Sequence, residues 1–199
     1  MAGKRKSSPQ NKQSHRGASP ASRGDSAGGS ITVRKRPEPN CFELVHPRCA
    51  TDRAEDIEDV QQMLDSGELE IARDELRWLL DGCGDFIAAH RLLGEVALEL
   101  GDLNLARGHF GYAYQLGEAA LAAISPPGQA PYRYESNQAF LEAAKGLAWS
   151  LKGLSKPELA REVLARLLAL DPEDPLGAGA LLSVMSDPVP LNPPPSTPG

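Results

Sequence analysis

The sequence predicts an all-α fold of stacked helical hairpins, on three observations. The segment Gly67-Glu-Leu-Glu-Ile-Ala-Arg73 recurs as Gly101-Asp-Leu-Asn-Leu-Ala-Arg107, and an offset of 34 residues is the length of one helix–turn–helix repeat. Apolar residues return at helical spacing, as in Ile71, Ala72, Leu76, Leu79 and Leu80. Aromatic residues make up 5% of the chain while Ala and Leu abound, a mix that favours helix and close helix approach.

The elements follow in order. Asp56, Val60, Met63 and Leu64 begin a first helix that ends at Gly67. A second runs from about Leu69 to Leu80 and is broken by Asp81-Gly-Cys-Gly84, since Gly suits a left-handed helix end. Asp85 is the expected N-cap of a third, Phe86 to Leu100, and Gly101-Asp102 turns the chain into a fourth, about Leu103 to Ile124. Ser125-Pro-Pro-Gly128 stops that helix. A loop insertion over about 125–136 precedes a fifth, about Asn137 to Lys152, which Gly153 turns. Ser155, Pro157 and Glu158 read as a capping-box start for a sixth helix to Leu170, closed by Asp171-Pro172. Asp174-Pro175 caps a short last helix, 174–185, that carries Leu181, Leu182 and Met185.

The strongest repeat copy has Leu93-Gly94, Ala97, Gly101, Ala106, Phe110 and Ala113. Gly94 and Ala106 are small where two helices cross, and Phe110 fills the wedge beside them. Gly67, Ala72, Leu76 and Leu79 match one period earlier. Gly146, Gly153, Ala160, Leu164, Leu167 and Pro172 read as a third copy with a longer turn and about 20 extra residues before it. On these positions the chain resembles the tetratricopeptide-repeat family. Asp74-Glu-Leu-Arg-Trp-Leu-Leu80 and Gly108-His-Phe-Gly-Tyr-Ala-Tyr114 are similar to small bacterial proteins of that family. The resemblance implies a tetratricopeptide-type right-handed helical-hairpin solenoid over 53–186. It would have three repeats (about 53–85, 86–119 and 139–172) and a C-terminal capping helix.

Residues 1–40 hold nine Lys and Arg against Asp25 and Glu38, whereas residues 41–199 hold 12 basic and 25 acidic side chains. The first 40 residues, rich in Ser, Gly and Pro, are expected to be a disordered basic tail. Residues 41–52 read as an extended N-terminal segment packing through Phe42, Leu44 and Val45. Six prolines mark 187–199 as a disordered extended tail. No apolar run approaches the roughly 20 residues of a bilayer span, and no hydrophobic stretch follows the N-terminal charges. Three cysteines (Cys41, Cys49, Cys83) argue against a disulfide framework and for a reducing, cytoplasmic setting.

The resemblance also implies that the first helix of each pair lines a concave groove. That groove would be formed by Gln61 and Asp65, then Arg91, Glu95 and Glu99, then Phe140, Leu147 and Ser150, charged at one end and apolar at the other. Arg91 is the one cation among these residues and Glu95 lies a turn away. A basic or mixed-charge peptide therefore suits the groove better than a C-terminal carboxylate. The expected role is a non-catalytic protein–protein interaction module or adaptor. The alternative is a nucleic-acid or ribosome-associated adaptor acting through Lys4-Arg-Lys6 and Arg34-Lys-Arg36 in residues 1–36; that tail could equally fold onto the acidic body. Tyr132 and Tyr134 in the insertion either cover helix ends or anchor a ligand, and self-association by end-to-end stacking stays open. Cys41 and Cys49 are eight apart, too far for the usual zinc pairing, and neither His90 nor His109 has a nucleophile beside it. No enzyme activity, cofactor or metal is expected.

Overall fold

The computed structural model describes residues 30–125 and 127–186. Two antiparallel strands, β1 (Thr32–Lys35) and β2 (Phe42–Val45), precede α1 (Arg48–Thr51), α2 (Ala54–Asp65), α3 (Leu69–Gly82) and α4 (Ile87–Glu99). Then come α5 (Leu103–Leu121), α6 (Glu135–Gly153), α7 (Pro157–Leu170) and α8 (Ala178–Ser186). The described chain is thus mostly helical. Consecutive helices pack on one another from α2 to α8, and α4 also touches both α2 and α6. The tail segments 1–29 and 187–199 lie outside the described residues.

Three helix pairs turn in the same way. Gly67 (φ 80°), Gly101 (φ 74°) and Ser155 (φ 58°) take the left-handed conformation just past α2, α4 and α6. The following amide then bonds back into the helix: Glu68 N–H to the Met63 carbonyl at 2.9 Å, Asp102 N–H to Ala97 at 2.8 Å, Lys156 N–H to Leu151 at 2.9 Å. These bonds satisfy carbonyls that a helix end leaves open. Five residues on, Ala72, Ala106 and Ala160 are fully buried, as are Leu76 and Leu164, with Phe110 at 1% exposure. Ile71, Leu105 and Leu159 stand at one place in α3, α5 and α7, and all three are exposed.

The third turn corrects the expected register. Helix α6 runs through Gly153, and Ser155, not Gly153, carries the turn. The spacing to Ala160 is therefore five, as in the first two pairs, and not seven. The step from the second pair to the third is 54, which places Ala148, not Gly146, in line with Gly94. Gly146 has its own reason to be small: a Cβ there or at Gly94 would lie 2.6 Å from the Phe110 ring. At Gly153 a Cβ would meet Leu103 Cδ1 at 2.8 Å. Nor is Ser155 an N-cap, since α7 starts after Lys156 with Pro157 in its first turn. Phe86, rather than Asp85, precedes α4, and Pro172 lies exposed past the end of α7.

Residues 30–40, expected to be disordered, begin instead with a β-hairpin. Val33 pairs with Leu44 and Arg34 with Glu43. Ile31, Phe42 and Leu44 are buried, so the alternation of apolar and polar side chains presents one face to the core. The strands lie against α5 and α6. Asn137, fully buried, joins them to the body: Leu44 N–H donates to its Oδ1 at 2.9 Å, and its Nδ2 donates to the carbonyls of Phe42 (3.1 Å) and Pro131 (3.0 Å). The insertion completes this junction. Phe42 N–H donates to the Gln129 carbonyl and Gln129 N–H to that of Asn40, both at 2.8 Å, and Ala130 N–H donates to Leu170 at 2.9 Å.

From β2 the chain passes from α6 toward α2. His46 Nε2 lies 2.7 Å from the Ser136 carbonyl oxygen, and Ala50 is buried in one cluster with Val60, Leu79 and Phe86. Segment 41–52 is therefore not extended throughout, because α1 interrupts it. Cys49 and Cys83 form a disulfide, and Cys41 is a buried free thiol. The odd cysteine count thus misled, and the argument it offered for a reducing compartment falls with it. The core divides into two clusters, one around α2, α3 and α4, the other from α5 to α8 with the hairpin and with Ile87 and Ala97 of α4.

Candidate functional site

The ends of α2 and α4 enclose a hollow of about 400 Å³ lined by Gln61, Leu64, Asp65, Leu69, Glu95, Val96 and Glu99, with Gly67 at its rim. Its carboxylates come from two helices whose apolar stripes face inward, so the charged positions are left along the outside of the crossing. Arg91, 15% exposed, lies beside them. Its Nη1 bonds Glu95 Oε1 at 2.6 Å, its Nε is 3.3 Å from Glu142 Oε2, and its Nη2 donates to Gln61 Oε1 at 3.4 Å. Gln61 in turn donates to Asp65 at 3.1 Å, and Tyr132 donates to Glu142 at 2.6 Å. One polar network therefore runs from α2 across α4 to α6 and the insertion.

The guanidinium is held by two carboxylates, which leaves Asp65 and Glu99 facing the hollow without a cation among its lining residues. Burial raises the Glu95 carboxyl above its ordinary pKa; Arg91 pulls the other way, while Glu142 and Glu99 reinforce the rise. The bond to Glu142, aided by burial, pushes the Tyr132 hydroxyl up to about 12. This tyrosine is a strut of the network. Tyr134 lies beneath the guanidinium of Arg36, 4.8 Å from ring centre to Cζ.

The expected groove set separates. Gln61, Asp65, Glu95 and Glu99 meet at the hollow, with Arg91 at its side. Phe140 and Ser150 are fully buried and Leu147 is 8% exposed, so these three belong to the core and not to a groove. Ser150 Oγ donates to the Gly146 carbonyl within its own helix. The error follows from the register set on Gly146. With the step of 54, the position of Gln61 and Glu95 falls on Trp149, and that of Arg91 falls on Lys145. Trp149 is 45% exposed, with Lys152 Nζ 5.1 Å from its ring centre. The spacing from Ala160 back to Ser155 was the signal that could have found it.

The remaining candidates are bound up in packing. His90 Nδ1 lies 3.2 Å from His109 Nδ1, and His90 Nε2 lies 3.0 Å from the Gly84 carbonyl, a pattern satisfied with both rings neutral. Of the cluster Arg34-Lys-Arg36, the two arginines both turn to Glu43, at 3.0 and 3.4 Å. Lys4-Arg-Lys6 lies outside the described residues. Among the described residues no three His, Cys, Asp or Glu side chains converge as metal ligands, and no helix is long and apolar enough to cross a membrane. The chain matches no protein-family model and no curated protein.

Proposed function

We propose that the chain is a tetratricopeptide-type solenoid of three helical hairpins with α8 as its cap, acting as a non-catalytic adaptor. Its ligand is a basic or mixed-charge peptide segment of a partner protein, held along the first helices α2, α4 and α6. The observation that carries this is the acidic hollow between α2 and α4, with the nearby arginine already engaged by Glu95 and Glu142. A Lys or Arg side chain entering it meets Asp65 and Glu99 and finds apolar floor at Leu64, Leu69 and Val96. The identical turns at Gly67, Gly101 and Ser155 support the stacked arrangement.

The rival, nucleic-acid binding through residues 1–36, is weakened at Arg34 and Arg36, which both face Glu43. Fluorescence anisotropy separates the two. A labelled arginine-rich peptide and a labelled single-stranded DNA are titrated onto the full chain, a chain lacking residues 1–29, and a Glu95→Lys/Glu99→Lys variant. Peptide binding that survives truncation and falls at least tenfold in the variant supports the adaptor. DNA binding that disappears on truncation, with no peptide binding, supports the rival.

A further inference from the structure

We propose that the Cys49–Cys83 disulfide is a redox latch on the segment 46–51, a strap that covers part of the ligand face and leaves it when the bond is reduced. This regulates the face assigned above and rests on that assignment. A second hollow of about 380 Å³ lies between the strap and the beginnings of the same three first helices. The strap contributes His46, Ala50 and Thr51; the helices contribute Ile57, Ala88 and Ala139. The acidic hollow occupies the other end of α2 and α4. The strap therefore borders the end of this helical face opposite the acidic hollow and leaves Ile57, Ala88 and Ala139 half-buried, with Glu58 and Glu135 exposed at the edge.

The strap is weakly held apart from the disulfide. Helix α1 has four residues, and Pro47 gives it no side-chain cap; so short a helix does not persist in water unsupported. The fixed points lie on either side. His46 bonds the Ser136 carbonyl, and Arg53 donates to the Leu79 carbonyl at 3.1 Å while lying 4.6 Å from the Trp78 ring centre. Between them the attachments to the body are the disulfide, the buried ring of Pro47 next to His46, and the buried methyl group of Ala50. Cys83 is 3% exposed, whereas Cys49 is only partly buried, so Cys49 is the reachable sulfur.

The reductant is a dithiol. Its thiolate attacks Cys49 Sγ, the S–S bond breaks, and Cys83 leaves as a thiolate. The second thiol of the reductant then displaces Cys49 and closes a disulfide within the reductant. Two electrons and two protons end on the two cysteines. The strap can then swing about His46 and Arg53, opening further the half-buried Ile57, Ala88 and Ala139.

Hydrogen–deuterium exchange on the full chain tests this without any ligand, so its outcome is independent of whether the acidic hollow binds peptide. The oxidised protein, the dithiothreitol-reduced protein and a Cys49→Ser/Cys83→Ser variant are compared. In the oxidised state the amides of Ala50, Thr51, Asp52 and Arg53 are hydrogen-bonded. They are expected to exchange at least tenfold faster in the other two, while α5, α6 and α7 remain protected. Equal exchange in all three would overturn the latch, and so would loss of protection across α5 to α7, which would make the bond a support of the whole fold. Titration of three thiols instead of one in denatured, air-oxidised protein would also overturn it.

Discussion

Phe110 stands between Gly94 on α4 and Gly146 on α6, and its ring takes the space that either missing Cβ would occupy. Gly146→Ala should therefore lower stability by roughly 1–3 kcal/mol through overpacking. Gly108→Ala, on an exposed helical surface with nothing within 4 Å of the new Cβ, should raise it by about 0.5–1 kcal/mol. Chemical denaturation of the two variants checks both signs. Burial lowers the pKa of His90, with the neighbouring His109 adding to the effect and the Gly84 bond opposing it; burial, then Arg77, lowers that of His109. A depressed folded-state pKa means that the unfolded chain binds more protons below the ordinary histidine value of about 6.5. The pair's contribution is thus complete above that pH and is lost as pH falls through the folded values. Thermal unfolding measured from pH 7.5 to 5 should show that decline, and His90→Gln/His109→Gln should flatten it. The Phe110 wedge was legible from Gly94 and Ala106, because both partners lie within one repeat. The Arg91–Glu142 contact was not, since it depends on a helix reached only after the insertion.

At the level of elements, the shared turn geometry makes Ser155 the exceptional position. It adopts a left-handed φ of 58° where the other two turns use Gly, at a cost of about 1–2 kcal/mol for a residue with a Cβ, against about 0.5–1 kcal/mol of backbone entropy for Gly. Ser155→Gly should stabilise the protein by up to about 1 kcal/mol, and a fall in thermal midpoint would contradict the assignment of that turn. The β-hairpin hangs on Asn137. Asn137→Leu would strand the Leu44 N–H and the Phe42 carbonyl, while the Pro131 carbonyl keeps its bond from Tyr134 N–H, costing roughly 2–5 kcal/mol by urea unfolding. Helix positions were readable because a 3.6-residue period shows in Leu76, Leu79, Leu164 and Leu167. The hairpin was hidden in a tail of basic and small residues, although Ile31-Thr-Val33 and Phe42-Glu-Leu44 do alternate. Gly153 drew the third register by resembling Gly101, while the smaller signal, five residues from Ser155 to Ala160, lay beside it.

For the whole molecule, the N-terminal segment ties the third helix pair to the first. Its hairpin rests on α5 and α6, and its disulfide reaches the turn between α3 and α4. Closing a loop of 34 residues is worth roughly 3–4 kcal/mol in the chain-entropy account. Sequence could show neither the pairing nor the strap, because both depend on which helices the chain crosses. The gathering of Gln61, Asp65, Glu95 and Glu99 at one hollow was readable from their spacing of 34 on α2 and α4; Phe140, Leu147 and Ser150, expected beside them, are core residues. An amide NMR titration of the full chain with an arginine-rich decapeptide tests the proposed ligand face most directly. Shifts concentrated in residues 61–69 and 91–99, abolished by Glu95→Lys/Glu99→Lys and absent with a glutamate-rich peptide, are the predicted result. Shifts lying elsewhere, or unchanged by the charge reversal, would contradict it.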